Sequence, residues 1–196
     1  MMREHVGKSG RWVVVAVAVV FGGAPGGAQD QSGPISSEAQ ELIRLLDAED
    51  LSVRQEAFLR LEALREPATA SVVRAHLASR DPNTRAFSVR AIAAIEGPSA
   101  VPTLLKSLKR DRHAFVRLES LLALEPLWEQ EPTIGAAFIA ALRDRHAQVR
   151  MAAVDAVSRI DEPEAHAAIR TRWRRERHRD VRRVLEEAMK RLGERL

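Results

Sequence analysis

The 196 residues contain no cysteine and no tyrosine. Disulfides and thiolate chemistry are thereby excluded, so stability has to come from packing alone. Aromatic residues make up only 4% of the chain, while alanine is abundant. That balance argues against a large sheet core and suits helices stacked closely through small side chains. Long apolar runs are missing too. The ten residues from Trp12 to Phe21 fall well short of the about 20 that span a bilayer. There is no glycine-rich phosphate loop, no His-Glu-x-x-His and no serine in a nucleophile-elbow setting, which removes the commonest nucleotide-handling, zinc-protease and hydrolase chemistries.

What the chain does have is internal repetition. Val53-Arg54, Thr84-Arg85, Val116-Arg117, Val149-Arg150 and Val181-Arg182 follow one another at intervals of 31, 32, 33 and 32 residues. A period near 32 held through four intervals indicates stacked structural repeats. Three residues after each arginine stands Ala57, Ser88, Ser120, Ala153 or Leu185, and seven after it Leu61, Ile92, Leu124, Val157 or Met189. Those offsets share one face of a helix, which predicts a buried stripe on a helix carrying the arginine.

Between the arginines, Glu66-Pro67, Gly97-Pro98, Glu131-Pro132 and Glu162-Pro163 each precede a new apolar-periodic run. Proline is favoured in the first turn of a helix, where its missing N–H has no bond to lose. Each unit therefore reads as a helix opened by proline, a short turn and a second helix bearing the arginine. Ser37 with Gln40 resembles a capping box at the start of the first helix. The terminal helices are expected to turn a polar side to water, as Glu186, Glu187, Lys190 and Arg191 allow at the C-terminal end.

This pattern resembles HEAT repeats, in particular the short variety found in phycobilin lyase subunits, over residues 37–196. The resemblance implies an all-α, right-handed alpha-alpha solenoid of about five HEAT-like repeats. It also implies a ladder in which an acidic residue six before each arginine bonds along the stack. Asp111, Asp144 and Glu176 match that place. Ser79 and Ala48 depart from it, with Asp81 and Asp50 two residues further on as candidate caps of the second helices. The iron-binding His-Glu pairs of HEAT-type hydroxylases are absent, so no cofactor and no metal is expected.

Arg3, Lys8 and Arg11 precede the apolar run, and Gly22 to Ala28 follow it with small residues. That order is that of a secretory signal peptide over residues 1–28, with cleavage after Ala28 and a flexible linker at 29–36. Neither a lipid-anchoring cysteine nor a twin arginine accompanies it. The expected mature chain carries 28 basic against 26 acidic residues and is exported to the periplasm or beyond, with no stable membrane anchor and no nucleic acid as partner.

Two surfaces stand out as candidate sites. On second helices lining a concave face, the positions that do not pack between repeats include Phe87, Leu118, Leu122 and Met151, an apolar group flanked by Arg90, Glu119 and Asp155. Read as exposed, these form a contact surface for a protein partner; read as covered by solenoid curvature, they are core. The other is the run Arg170, Arg172, Arg174, Arg175, Arg179 and Arg183 with Trp173, which is either an anion site or a solvated cap paired to Glu162, Glu164 and Glu176. His113, His146 and His178 each lie four residues before an arginine, in the turns; a shared metal and helix capping are the two readings, and capping is the expected one. The chain as a whole reads as an exported, non-catalytic scaffold. A lyase-like ligand-handling enzyme and a binder of an anionic envelope polymer or lipid are the alternatives.

Overall fold

The computed structural model describes residues 33–193. These form the five helix pairs that the 32-residue period predicts, with no strand among the described residues. The first pair is α1 (Ser37–Leu45) and α2 (Leu51–Leu64). In the second, α3 (Ala70–Ala75) is extended by 3-10 turns at Pro67–Thr69 and His76–Ala78 and is followed by α4 (Pro82–Glu96). The third has α5 (Val101–Arg110), entered through a 3-10 turn at Gly97–Ala100, and α6 (Ala114–Leu124). The fourth is α7 (Pro132–Ala141) with α8 (Ala147–Val157), and the fifth α9 (Pro163–Arg175) with α10 (Arg179–Arg191).

The punctuating prolines act as expected: Pro132 and Pro163 open α7 and α9, and Pro67 and Pro98 open the 3-10 turns that lead into α3 and α5. One cap differs from the expectation. The N-cap of α1 is Ser36, whose hydroxyl accepts from the Ala39 N–H, and Gln40 donates to the Ile35 carbonyl instead of closing a box with Ser37. Of the expected linker, residues 33–36 are described and have no regular structure; the expected signal segment lies outside the described residues.

Each first helix packs on the second helix of its own pair, and the second helices α2, α4, α6, α8 and α10 form a continuous row, each against the next. The residues three and seven after each arginine explain that row. Ala57, Ser88, Ser120 and Ala153 are completely buried, and their small size lets neighbouring backbones approach. The Ser88 and Ser120 hydroxyls donate to the Thr84 and Val116 carbonyls at 2.7 Å, so their burial leaves no polar group unpaired. Leu61, Ile92, Leu124, Val157 and Met189 fill the space behind them and are likewise buried. Each such side chain contributes about 1.5–3 kcal/mol through the water it leaves.

The two ends of the stack are unlike. Arg182, Arg183, Glu187, Lys190 and Arg191 are exposed on α10, as expected of a terminal helix. At the other end Leu45, Leu51 and Val53 stand 42%, 40% and 37% exposed, three of the four exposed large apolar side chains among the described residues. Thr84, Val116, Val149 and Val181 hold the same place as Val53 and are buried. α1 turns Ser37, Glu38, Gln40, Glu41 and Arg44 to water, the polar side that the pattern predicts, with the three apolar side chains exposed beside it.

Candidate functional site

The arginine that marks each repeat reaches in two directions. Its Nη1 donates to the carbonyl six residues back: Arg54 to Ala48 at 2.6 Å, Arg85 to Ser79 at 2.9 Å, Arg117 to Asp111 at 3.0 Å and Arg150 to Asp144 at 2.9 Å. Its remaining nitrogens reach forward to a carboxylate of the next repeat. Arg85 holds Asp111 at 2.8 and 2.9 Å, Arg117 holds Asp144 at 2.7 and 2.6 Å, and Arg150 holds Glu176 at 2.9 and 3.2 Å. These bidentate pairs use the fork geometry that only arginine supplies. The first rung closes in a different way. Ser79 leaves the expected acidic place empty, yet Arg54 reaches Asp81 at 3.0 Å, and the same carboxylate caps α4 through the Asn83 and Thr84 N–H groups.

Burial on its own pushes the Asp111 and Asp144 carboxyls up; the hydrogen bonds from Arg85 and Arg117 and from the His113 and His146 N–H groups outweigh it and hold both below their ordinary value. Burial likewise works against Glu176, but bonds from Arg150, the His178 N–H and Arg172 bring its pKa from 4.5 down to about 2. The ladder therefore stays ionised, and it locks repeat to repeat.

On the second-helix face the expected patch is only partly open. Phe87 belongs to the core: it is 9% exposed, and its ring lies 6.0 Å from that of Phe58. Solenoid curvature brings α4 close enough to α2 to cover it. Leu118 and Met151 are half-buried against the core, and Leu122 stands 42% exposed. The flanking charges are engaged within the protein. Arg90 lies 3.1 Å from Glu62 and 3.9 Å from Glu119, and Asp155 lies 3.5 Å from Arg191. Burial raises the Glu119 pKa, Arg90 opposes the rise and Glu62 adds to it. Arg159, 3.1 Å from Glu125, completes a second set of inter-repeat pairs. Arg159 escaped the sequence reading, and Arg191 was expected only as part of the solvent-facing last helix, although both lie nine residues after a repeat arginine.

The basic run near the C-terminus divides. Arg172 is held by Glu176 within α9 and the loop that follows, and Arg182 and Arg183 sit 3.5 and 3.7 Å from Glu186 and Glu187. The Arg182 guanidinium also covers Trp173, 5.1 Å from the ring centroid. Arg170 is half-buried and has a partner of its own. Arg174, Arg175 and Arg179 are exposed. Of the expected acids Glu176 does pair with the run, and Glu186 and Glu187, which were not expected as partners, join it.

His113, His146 and His178 occupy the N-cap positions of α6, α8 and α10. Their side chains make no capping bond, contrary to expectation. The ladder acid two residues earlier takes the backbone N–H of each histidine, at 2.7 to 2.8 Å, and leaves the imidazoles exposed. No group of three or more histidine or acidic residues suited to a metal occurs among the described residues. Nor is any described helix long and apolar enough to cross a membrane.

Comparison with known proteins places this geometry. A subunit in the structure of the CpcE–CpcF complex of phycocyanin lyase from Nostoc sp. PCC7120 is similar at a TM-score of 0.64 and 19% identity, over 77% of this chain and 97% of that one. An engineered protein is similar at a TM-score of 0.50 and 20% identity, over 81% of this chain and 80% of its own. At these identities the likeness is one of fold. No curated protein matches the sequence. The family model for HEAT repeats matches residues 39–125 and 130–190, the greater part of the chain and all five helix pairs in whole or part, so the chain belongs to the HEAT-repeat family.

Proposed function

We propose that the chain is an exported scaffold without catalysis of its own, binding a protein partner on the second-helix face around Leu118, Leu122 and Met151. The observation that carries the reading is Leu122, the one exposed large apolar side chain among the described residues that lies within the stack and not at its first end. A large apolar group kept in water on a rigid scaffold is a natural anchor for a partner segment. The charges around it act within the protein. Arg90, Glu119 and Asp155 tie neighbouring second helices together and hold the face in register, and they orient a partner only at the rim. The printed description of the similar lyase structure, a complex of two chains, supports association with another protein in the same sense.

The test uses the mature chain and a Leu122→Glu variant, with folding checked by circular dichroism, in cross-linked recovery from the native cell envelope. A partner taken up by the parent and lost by the folded variant supports the face. The same partner recovered by both removes it. Sequencing the N-terminus of the cellular protein tests export, for which cleavage after Ala28 is expected. A lyase-like reading would instead require a ligand that changes the protein's absorbance or melting temperature.

A further inference from the structure

The turns that carry the ladder acids share a sequence feature that the ladder itself does not need. Arg110-Asp111-Arg112-His113, Arg143-Asp144-Arg145-His146 and Arg175-Glu176-Arg177-His178 repeat one four-residue pattern, arginine, acid, arginine, histidine, at intervals of 33 and 32 residues. The acid of each turn faces into the stack. Asp111 accepts both bonds of Arg85 and the His113 N–H, Asp144 those of Arg117 and His146, and Glu176 those of Arg150, Arg172 and the Arg177 and His178 N–H groups. The negative charge of each turn is thus neutralised from within.

Both arginines and the histidine of every turn are exposed, as are Lys109, Arg174 and Arg179 beside them. None of these side chains makes an ion pair with a described residue; the Arg145 guanidinium donates only to the Arg112 carbonyl, which joins adjacent turns side by side. Between those two turns runs a groove of about 550 Å³ lined by Arg112, His113, Ala114, Arg117, Arg145 and His146. The first end of the same edge has the opposite sign, with Asp47, Glu49 and Asp50 at the α1–α2 turn. Arg80, exposed in the turn before α4, holds the place of Arg112, Arg145 and Arg177, so it is the full arginine, acid, arginine, histidine pattern that is confined to the last three repeats.

We propose that this edge binds a linear phosphate polyanion, seated in the groove between Arg112, His113, Arg145 and His146 and continuing across the Arg175–His178 turn. Guanidinium forks match phosphate oxygens in pairs. A row of like charges at repeat spacing favours a ligand that carries its own charges in a row, since each contact releases counterions. The exposed side chains of the three turns are arginine, lysine and histidine, with Asp180 an exposed acid beside Arg179. They offer nothing apolar for a peptide or a bilayer to pack against. Phe115 and Trp173, the aromatic residues nearest in sequence, pack on the core, so neither is free to stack a base. This surface is separate from the second-helix face.

The test measures binding of long-chain inorganic polyphosphate to the mature chain over a range of salt, beside two doubly substituted variants. Arg112→Gln/Arg145→Gln removes the centre of the groove. Lys190→Gln/Arg191→Gln removes the same charge from the far end of α10, about 15–20 Å along that helix from His178. The expected result is salt-sensitive binding by the parent, weakened about tenfold or more in the first variant and shifted less than about twofold in the second. Arg110→Gln/Arg143→Gln, one residue to the other side of each acid, repeats the loss should the first pair disturb folding. No binding by the parent overturns the proposal, as does an equal loss in the groove and control variants. Tighter binding of polyglutamate or of phosphatidylglycerol vesicles than of polyphosphate overturns it as well, in favour of an acidic protein or a membrane surface.

Discussion

Glu176 shows how far one residue can be pressed into the frame of this protein. It is 4% exposed and collects bonds from two arginines and two backbone N–H groups. Its carboxyl titrates near 2 in the folded chain against an ordinary value of 4.5. A depressed carboxylate contributes stability that is complete above the unfolded value and is lost as pH falls through the folded one. Urea unfolding between pH 7 and pH 2 should therefore show stability falling below about pH 5. Glu176→Gln is expected to be less stable than the parent by about 2–3 kcal/mol at pH 7, and the gap should close towards pH 2. A gap that stays constant with pH would show that the charge on Glu176 is not what stabilises the fold. Asp111 and Asp144 are shifted in the same direction, so the variant keeps part of the acid sensitivity.

At the scale of the element, the junctions between helix pairs decide where each new repeat starts. Gly97 links α4 to the 3-10 turn before α5 at φ 56°, ψ −130°, a conformation essentially closed to residues with a side chain. A Cβ there would meet nothing within 4 Å, so the obstacle is backbone strain and not space. Gly97→Ala should cost about 1–3 kcal/mol. Gly135 lies inside α7, where a Cβ would meet only Ile160 Cδ1 at an ordinary 3.5 Å. Gly135→Ala should raise stability by about 0.5–1 kcal/mol through helix propensity. Opposite shifts of the urea midpoint in the two variants are the expected outcome; a loss in both would mean that α7 has no room for the added methyl.

For the molecule as a whole, stability follows from contacts between neighbouring repeats, so position in the stack matters more than residue type. Arg117 and Arg182 hold the same place in their repeats. The first is 4% exposed and joined to Asp144, whereas the second has no further repeat to reach among the described residues and lies over Trp173 in the open. Arg117→Ala leaves Asp144 buried without its partner and should cost about 3–5 kcal/mol, with a broadened unfolding transition as the two halves of the stack uncouple. Arg182→Ala should cost less than about 1 kcal/mol. Equal losses would show that the ladder does not couple the repeats.

The repeat period, the helix pairs, the proline starts and the buried stripe were all legible in the sequence, because they depend on spacing along the chain. The three acids of the ladder were legible through the resemblance to HEAT repeats, which places an acid six residues before the arginine. The role of Asp81 was not: it closes a rung from outside the expected place because Arg54 extends across the gap between repeats, a distance that exists only once α2 and α4 are stacked. The site was less legible than the fold. Leu122 and Phe87 look alike as apolar residues on second helices, and only the approach of α2 to α4 buries Phe87 while Leu122 stays in water. The same holds for charge. In sequence the Arg-acid-Arg-His turns look almost balanced; stacking turns each acid inward to an arginine of the previous repeat and leaves the cations outside. Sequence determined what each repeat is, since helix periodicity is local, and tertiary structure decided which side chains face solvent, since burial depends on the neighbour that each repeat meets.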